Sequence, residues 1–198
     1  MDEQKIDLRI IKTKRLLYET LEDLMKNQAF EEIKVSDICT HAMINRSTFY
    51  AHYADKYELL AAYINDLKNS LASELEKNQR IQNSKEYYLE MIKLLLDHIE
   101  QKKETYASIM IHNRNSITID ILYDVIHKDI MKQIKESKEI KIDTIPSDII
   151  SKFYLGAVFN VCLEWLKHDN QYSKQDIIHY IDLLIPNEFY QASKKDLN

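Results

Sequence analysis

The stretch of sequence that decides the fold is VSDICTHAMINRSTFYAHYADK, residues 35–56. Its pattern predicts two short helices, a tight turn between them and the start of a third helix. Ser36 and Asn45 are residue types that cap helix N-termini, and each comes just before a run with helical spacing. Met43, Ile44 and Asn45 interrupt that spacing and form the predicted turn. Two short helices joined by so short a turn make a helix-turn-helix.

The second short helix, predicted near residues 46–53, has two different sides. Phe49 and Tyr53 are four residues apart, so they face the same way, and we expect that side to face the core. The other side carries polar groups that can reach DNA phosphates or base edges. These polar residues are Arg46, Ser47, Thr48, Tyr50 and His52. Two packed core helices that bind nothing would show the same bare pattern.

The stretch resembles the DNA-binding domain of the TetR/AcrR family of transcriptional regulators, over about residues 10–63. The resemblance is most specific in the run STFYAHY, residues 47–53. Lys56 and the Glu-Leu-Leu of residues 58–60 extend it, and the Val-Ser-Asp-Ile of residues 35–38 precedes it. Several residue types therefore recur at fixed offsets over more than one helix.

The resemblance implies a division of roles among the polar residues. The residues expected to hold DNA phosphates are Ser36, Tyr50 and Lys56. The candidates for contacts with base edges are Arg46, Ser47, Thr48 and His52. Lys56 also lies near a helix N-terminus, where unpaired backbone N–H groups favour anions.

The predicted turn departs from the family pattern at Met43. The family usually has a small residue at this position, often glycine. A turn of this kind often needs a positive φ, which glycine adopts freely and methionine adopts only at a cost in free energy. We therefore expect a strained or altered turn, which affects the aim of the second helix.

Composition favours an all-α fold. The 198 residues include one glycine and two prolines, too few turn formers for a sheet protein, whereas long stretches have helical periodicity. No run of about eighteen apolar residues suggests a transmembrane span. The first residues, MDEQKIDLR, are too charged for a signal peptide. Cys39 and Cys162 lie far apart without metal-ligand spacing, which is typical of reduced thiols in a cytoplasmic protein.

The predicted organisation has three parts. A helix-turn-helix DNA-binding domain covers residues 1–56, a helical regulatory and dimerisation domain covers residues 57–190, and a tail covers residues 191–198. The net charge of the chain is −5, and residues 1–56 contain nine Lys+Arg against ten Asp+Glu. A near-neutral domain should bind random DNA weakly, so specificity would depend on a few well-placed contacts.

Two apolar stretches near the C-terminus, residues 147–168 and 174–185, predict a homodimer. By resemblance to the family, they would pair with their symmetry mates as a four-helix bundle. Two helix-turn-helix motifs related by a two-fold axis would then read a palindromic operator in double-stranded DNA. The alternative is that both helices are buried within one chain. Gly156, the only glycine, lies in the first stretch, and a close approach between helices is the simplest reason for it.

The C-terminal half also has the residue mixture of a small-molecule pocket, apolar and aromatic side chains with a few polar tips. The candidates for an effector pocket are Met91, Leu95, His98, Tyr106, Met110, Tyr123, Phe153 and Tyr154. The same spacing is typical of plain core, and that alternative stays open for each residue. The histidines lack the spacing of metal ligands, so neither a metal nor a cofactor is predicted.

The motifs of common enzymes are absent. A G-x-S-x-G elbow or a phosphate loop needs glycines that the chain lacks, and there is no H-E-x-x-H or C-x-x-C. The sequence therefore predicts a homodimeric, ligand-responsive transcriptional regulator, a repressor rather than an activator. The alternative is a helical adaptor or co-activator that acts through a protein partner. An adaptor has no need of Tyr50, His52 and Lys56 together.

Overall fold

The computed structural model describes residues 8–76, 84–113, 117–136, 145–167 and 172–185. Within these ranges the regular elements are helices, which confirms the predicted all-α fold. In chain order they are α1 (Leu8–Met25), the Phe30 turn (a single helical turn, Phe30–Glu32), α2 (Val35–His41), α3 (Arg46–Tyr50), α4 (Lys56–Glu76), α5 (Ser84–Gln101), α6 (Lys103–Asn113), α7 (Ile117–Glu136), α8 (Ser147–Lys167) and α9 (Lys174–Leu184). The predicted tail, residues 191–198, lies outside the described ranges.

The chain forms two compact units. The N-terminal unit comprises Met1–Asp66 and Glu104–Leu122, and the C-terminal unit comprises Leu67–Lys103 and Tyr123–Asn198. The predicted domain boundary at residue 56 falls inside the N-terminal unit. The reason is that Leu59, Leu60 and Ile109 are buried in the same core as the helix-turn-helix.

A continuous apolar core holds the N-terminal unit together. Leu17 and Leu21 of α1 are fully buried one turn apart, and Phe30 and Ile38 complete the same cluster. Phe49 of α3 is also fully buried in it. Burying a side chain of this size contributes about 1.5–3 kcal/mol. The core therefore fixes α2 and α3 against α1.

Two tyrosine hydroxyls tie α1 to α4 within the N-terminal unit. The Tyr18 hydroxyl donates to the Asp66 carboxylate at 2.7 Å, and the Tyr63 hydroxyl donates to the Glu22 carboxylate at 2.6 Å. Burial is the main cause that raises the pKa of both hydroxyls. Both tyrosines therefore stay protonated at neutral pH and can act as donors.

In the C-terminal unit, α5, α8 and α9 share a second core, which includes Leu96 and Trp165. The N-terminus of α9 is capped by Ser173 and Asp176, as their spacing predicts. The Ser173 hydroxyl accepts the Asp176 N–H at 3.1 Å, and the Asp176 carboxylate accepts the Ser173 N–H at 2.9 Å. Lys174 pairs with carboxylates of α5, which fixes α9 beside it.

Among the residues that the structure describes, no close helix approach is found at Gly156. A Cβ atom at Gly156 would lie 3.7 Å from the Tyr123 hydroxyl, which is an ordinary van der Waals distance. The predicted reason for this glycine is therefore not met within the C-terminal unit.

One described helix, Asp148–Lys167, has the length and average hydropathy of a membrane span, a property that core helices of soluble proteins share. Its apolar run is interrupted by Lys152, Asn160 and Glu164, which explains why the sequence shows no continuous span. Only 22% of this apolar window is buried. Most other apolar residues of α8 are half-buried, and Ile149 and Phe153 are exposed.

Candidate nucleic-acid interface

The turn between α2 and α3 has a positive φ at Met43, as the sequence predicts. The angle is 52°. The Met43 N–H donates to the Thr40 carbonyl at 3.2 Å and the Ile44 N–H donates to the Cys39 carbonyl at 3.0 Å. This pair of bonds ends a helix in the Schellman motif. A left-handed conformation costs a non-glycine residue about 1–2 kcal/mol. The turn is therefore strained, but its two bonds give it a defined shape.

The two predicted N-caps differ from their expected chemistry. α2 begins one residue before Ser36, so Lys34 takes the cap position and its N–H donates to the Asp37 carboxylate at 2.9 Å. Ser36 is thus a half-buried helical residue, and its prediction as a cap is wrong. Asn45 does take the cap position of α3, but its side chain makes no cap hydrogen bond. The Thr48 N–H instead donates to the Asn45 carbonyl at 3.0 Å.

α3 and the turn that follows it present the two sides that the sequence predicts. Phe49 and Tyr53 point into the core, with 0% and 4% of their surface exposed. Of the predicted contact residues, the exposed ones are Arg46, Ser47 and Tyr50, and the half-buried ones are Thr48 and His52. The helix ends at Tyr50 and is shorter than predicted, so His52 lies in the turn that follows. A short helix with an anchored side thus displays a polar side.

Lys56 makes contacts that do not fit the predicted phosphate contact. Its ammonium donates to the backbone carbonyls of Phe30 at 2.8 Å, Glu31 at 2.8 Å and Ile33 at 2.7 Å. It also lies 4.9 Å from the centre of the Phe30 ring, and burial lowers the pKa of the ammonium. An ammonium has three protons to donate, so a phosphate contact would require Lys56 to release a carbonyl. The side chain therefore holds the Phe30 turn against the start of α4.

The N-terminus of α4 is capped by a carboxylate of the protein itself. The Asp55 carboxylate accepts the N–H groups of Tyr57 and Glu58, both at 2.8 Å. The Glu58 carboxylate in turn accepts the Ala54 N–H at 2.6 Å. These backbone donors, which the sequence suggested for a DNA phosphate, already hold carboxylates.

Asn45 is a candidate contact that sequence reasoning missed. Its side chain is exposed immediately before Arg46 and is not used as a helix cap. Asparagine amides recognise adenine edges and phosphates in protein–DNA complexes. An asparagine at the start of α3 could have indicated a DNA contact from the sequence, but the same residue type also suits a helix N-cap.

The predicted pocket residues do not all belong to one compact unit. Tyr106 and Met110 lie in the N-terminal unit, where Tyr106 hydrogen-bonds with Tyr63 and burial raises its pKa to about 12. The six others lie in the C-terminal unit: Met91, Leu95, His98, Tyr123, Phe153 and Tyr154.

Within the C-terminal unit, the structure brings only some of these residues together. Met91, Leu95 and His98 are half-buried and share one face of α5 by their spacing. The Tyr123 ring meets the Phe159 ring at 5.2 Å, and Tyr154 packs against the core of this unit. Phe153 is 67% exposed, so its prediction as a pocket residue does not fit the structure.

The geometry is that of a helix-turn-helix protein, in which the second helix has an exposed polar side of the kind that contacts DNA. Comparison with protein families agrees. Residues 17–63 match the family described as "Bacterial regulatory proteins, tetR family", and residues 86–187 match a family described as "Transcriptional regulator C-terminal region". The chain therefore belongs to the TetR family of transcriptional regulators, which are DNA-binding proteins and not enzymes.

Two curated relatives and one solved structure show where the similarity lies. Over 63 residues the chain is 40% identical to YxbF of Bacillus subtilis, an uncharacterized helix-turn-helix transcriptional regulator; the match covers 31% of this chain and 17% of YxbF. Over 105 residues it is 29% identical to DhaS of Lactococcus lactis, the transcriptional activator of the dhaKLM operon, covering 52% and 51% of the two chains. The chain thus matches about half or less of the length of these relatives.

The fold as a whole is similar to the crystal structure of a TetR transcriptional regulator from Streptococcus agalactiae. The TM-score is 0.61, the identity is 24%, and the match covers 90% of this chain and 96% of that one.

Proposed function

We propose that the protein is a homodimeric, sequence-specific DNA-binding repressor of transcription. The observation that carries this proposal is the two-sided α3, with Phe49 buried and Arg46, Ser47 and Tyr50 exposed beyond a turn of defined shape. A helix held so firmly on one side can enter a major groove without repacking the core. Residues 1–56 form the DNA-binding part, and residues 57–190 form the regulatory and dimerisation part.

The DNA contacts follow from the exposed side of the helix-turn-helix. The residues assigned to base edges are Arg46, Ser47, Thr48 and His52, with Asn45 added because its amide is exposed beside them. The residues assigned to phosphates are Ser36 and Tyr50. Lys56 is left out of both groups, since its ammonium already binds backbone carbonyls. Arginine paired with guanine is the contact with the most sequence information in this set.

A second copy of the chain covers the exposed apolar surface of α8 and α9. This surface includes Ile149 and Phe153 of α8, and Tyr180, Leu183 and Leu184 of α9, of which the last two are 68% and 71% exposed. Large apolar side chains that stay exposed in this number favour an interaction surface in soluble proteins. A second copy fits best, because one motif reads only a few base pairs and two-fold pairing doubles the site.

A small-molecule effector binds in the C-terminal unit in this proposal. The candidate residues that remain are Met91, Leu95, His98, Tyr123 and Tyr154, which combine apolar surface with a few polar tips. Because the target is chromosomal DNA, the protein works in the cytoplasm.

Fluorescence anisotropy with the DNA that flanks the protein's own gene tests the proposal. The assay runs across a salt series, with random duplex of equal length as the control. The proposal predicts a preference of roughly a thousandfold or more for the specific duplex. Equal binding to flanking and random duplex, followed by failure of random-sequence selection to yield any preferred site, would contradict it.

A second candidate is an activator or co-activator that works through a protein partner. It is favoured by the similarity to DhaS, which is named an activator, over 105 residues. A promoter–reporter fusion separates the two candidates. A repressor raises reporter expression when its gene is deleted, whereas an activator lowers it.

A further inference from the structure

Three helices of the N-terminal unit, α4, α6 and α7, make polar contacts with the Phe30 turn. From the start of α4, Lys56 donates to three carbonyls of this segment. From the end of α6, the Asn113 side-chain oxygen accepts the Phe30 N–H at 2.7 Å. At the start of α7, the Ile117 N–H donates to the Glu31 carboxylate at 2.9 Å. The turn is therefore fixed by polar contacts from residues far away in sequence.

Both polar atoms of the buried Asn113 side chain have hydrogen-bond partners. It is 1% exposed. Its oxygen meets the Phe30 N–H, and its nitrogen donates to the carbonyls of Met25 at 3.2 Å and Ile109 at 2.9 Å. Only a carboxamide offers one acceptor and two donors in this geometry. A carboxylate would face two carbonyl oxygens, and an apolar side chain would leave a buried N–H without its partner.

The Phe30 turn leads directly into the DNA-reading helices. The Ile33 N–H closes the turn on the Phe30 carbonyl at 3.2 Å, and Ile33 is fully buried. The next residue, Lys34, is the N-cap of α2. Because packed cores do not deform smoothly, a displaced turn displaces the start of α2 and, through the turn at Met43, α3.

We infer that Asn113 and Lys56 form a latch on the Phe30 turn that positions α2 and α3 for DNA. The inference rests on the proposed DNA-binding function. Both are positioning residues, because neither needs to touch DNA to act. Asn113 lies outside the N-terminal family match, residues 17–63, yet its side chain is in the core of the N-terminal unit. A change at this position of α6 is thus transmitted to the reading helix.

The test measures DNA affinity for three full-length variants: Asn113→Leu, Lys56→Met and the double variant. Each binds the selected operator and a random duplex across a salt series. Each single variant should lose operator affinity by about tenfold or more with an unchanged salt slope, because no phosphate contact is removed. The double variant should lose no more operator affinity than the single variant that binds less tightly, because both residues act through one turn. Ile109→Val, on the same buried face of α6, is the matched control and should bind within about twofold of wild type.

Two further measurements extend the test, and the first of them, on Lys56→Arg, does not depend on how Asn113→Leu folds. Lys56→Arg keeps the positive charge, so it would preserve a phosphate contact, but its planar guanidinium cannot reach the same three carbonyls. We expect it to lose operator affinity as Lys56→Met does. Hydrogen exchange of the Phe30 amide should be at least about tenfold faster in Asn113→Leu than in Ile109→Val, with no DNA present.

Several outcomes would overturn the latch. They are wild-type affinity in Asn113→Leu, losses that multiply in the double variant, a salt slope lower by about one in Lys56→Met, and unchanged exchange of the Phe30 amide. If the wild type itself prefers no duplex, the proposed function fails and the positioning role fails with it. If the wild type prefers its operator and the variants match it, only the latch fails.

Discussion

Met43→Gly should stabilise the protein, because the native backbone at this position has a φ of 52°. Relief of the left-handed conformation is worth about 1–2 kcal/mol. Glycine makes the unfolded chain more flexible, which returns about 0.5–1 kcal/mol of that gain. The lost side chain matters little, since Met43 is 91% exposed. The net expectation is a gain of about 0.5 kcal/mol, or roughly 1–2 °C in Tm for a chain of this length.

Urea denaturation at one fixed protein concentration measures this gain, because self-association would otherwise shift the apparent stability. Two matched variants interpret it. Met43→Ala removes the same side chain but keeps the conformational penalty, so its stability should stay near wild type. Ala51→Gly places glycine at an exposed position with a φ of −72° and should lose about 0.5–1 kcal/mol. If Met43→Gly loses as much stability as Ala51→Gly, the reasoning about the turn is refuted.

Three further predictions concern α8, the dimer and base recognition. Gly156→Ala should raise the free energy of unfolding by up to about 1 kcal/mol in thermal melts, because a Cβ there meets the Tyr123 hydroxyl at an ordinary distance. A variant that is less stable, or that dissociates more readily, would instead indicate a close helix approach in the dimer. Leu183→Asp should raise the dimer dissociation constant roughly thirtyfold or more in sedimentation experiments. Gln175→Asp, which places the same charge at another exposed site of α9, should leave it unchanged. Equal effects of the two variants would refute the assigned interface. Arg46→Ala should remove about 1–3 kcal/mol of discrimination at one or two base pairs when operators with single substitutions are compared; an equal loss on operator and random duplex would assign Arg46 to a phosphate.

The fold was predictable from sequence because its signals are local. Phe49 of α3 and Tyr53, just after it, reveal the buried side of this segment by their spacing alone, and both are buried. Ser173 and Asp176 reveal the start of α9 in the same way. The positive φ at Met43 was instead expected from the family resemblance, because the family usually has a small residue at this position. In the first two cases the residues that make the contact are within one or two helical turns of each other.

Two of the contacts that sequence reasoning did not find depend on distant partners. Lys56 was predicted to contact DNA, and the sequence did not reveal that its ammonium binds carbonyls more than twenty residues earlier in the chain. Asn113 has no sequence signal of its own, and its partners include the distant Phe30 and Met25. Ser36 was misjudged for a local reason, since Asp37 could serve the start of α2 equally well and does so. Every residue has a backbone carbonyl, so the sequence does not mark the carbonyls that bind a lysine. In sequence, such a lysine looks the same as one that binds phosphate.

Hydroxyl-radical footprinting of the protein on its selected operator tests the central claim most directly. The account predicts two protected patches related by two-fold symmetry, with half-site centres about one helical turn, roughly 34–36 Å, or somewhat more apart. Leu183→Asp at the same protein concentration should weaken both patches together. A single asymmetric patch, or uniform cleavage at saturating protein, would contradict the dimeric DNA-binding regulator proposed for this chain.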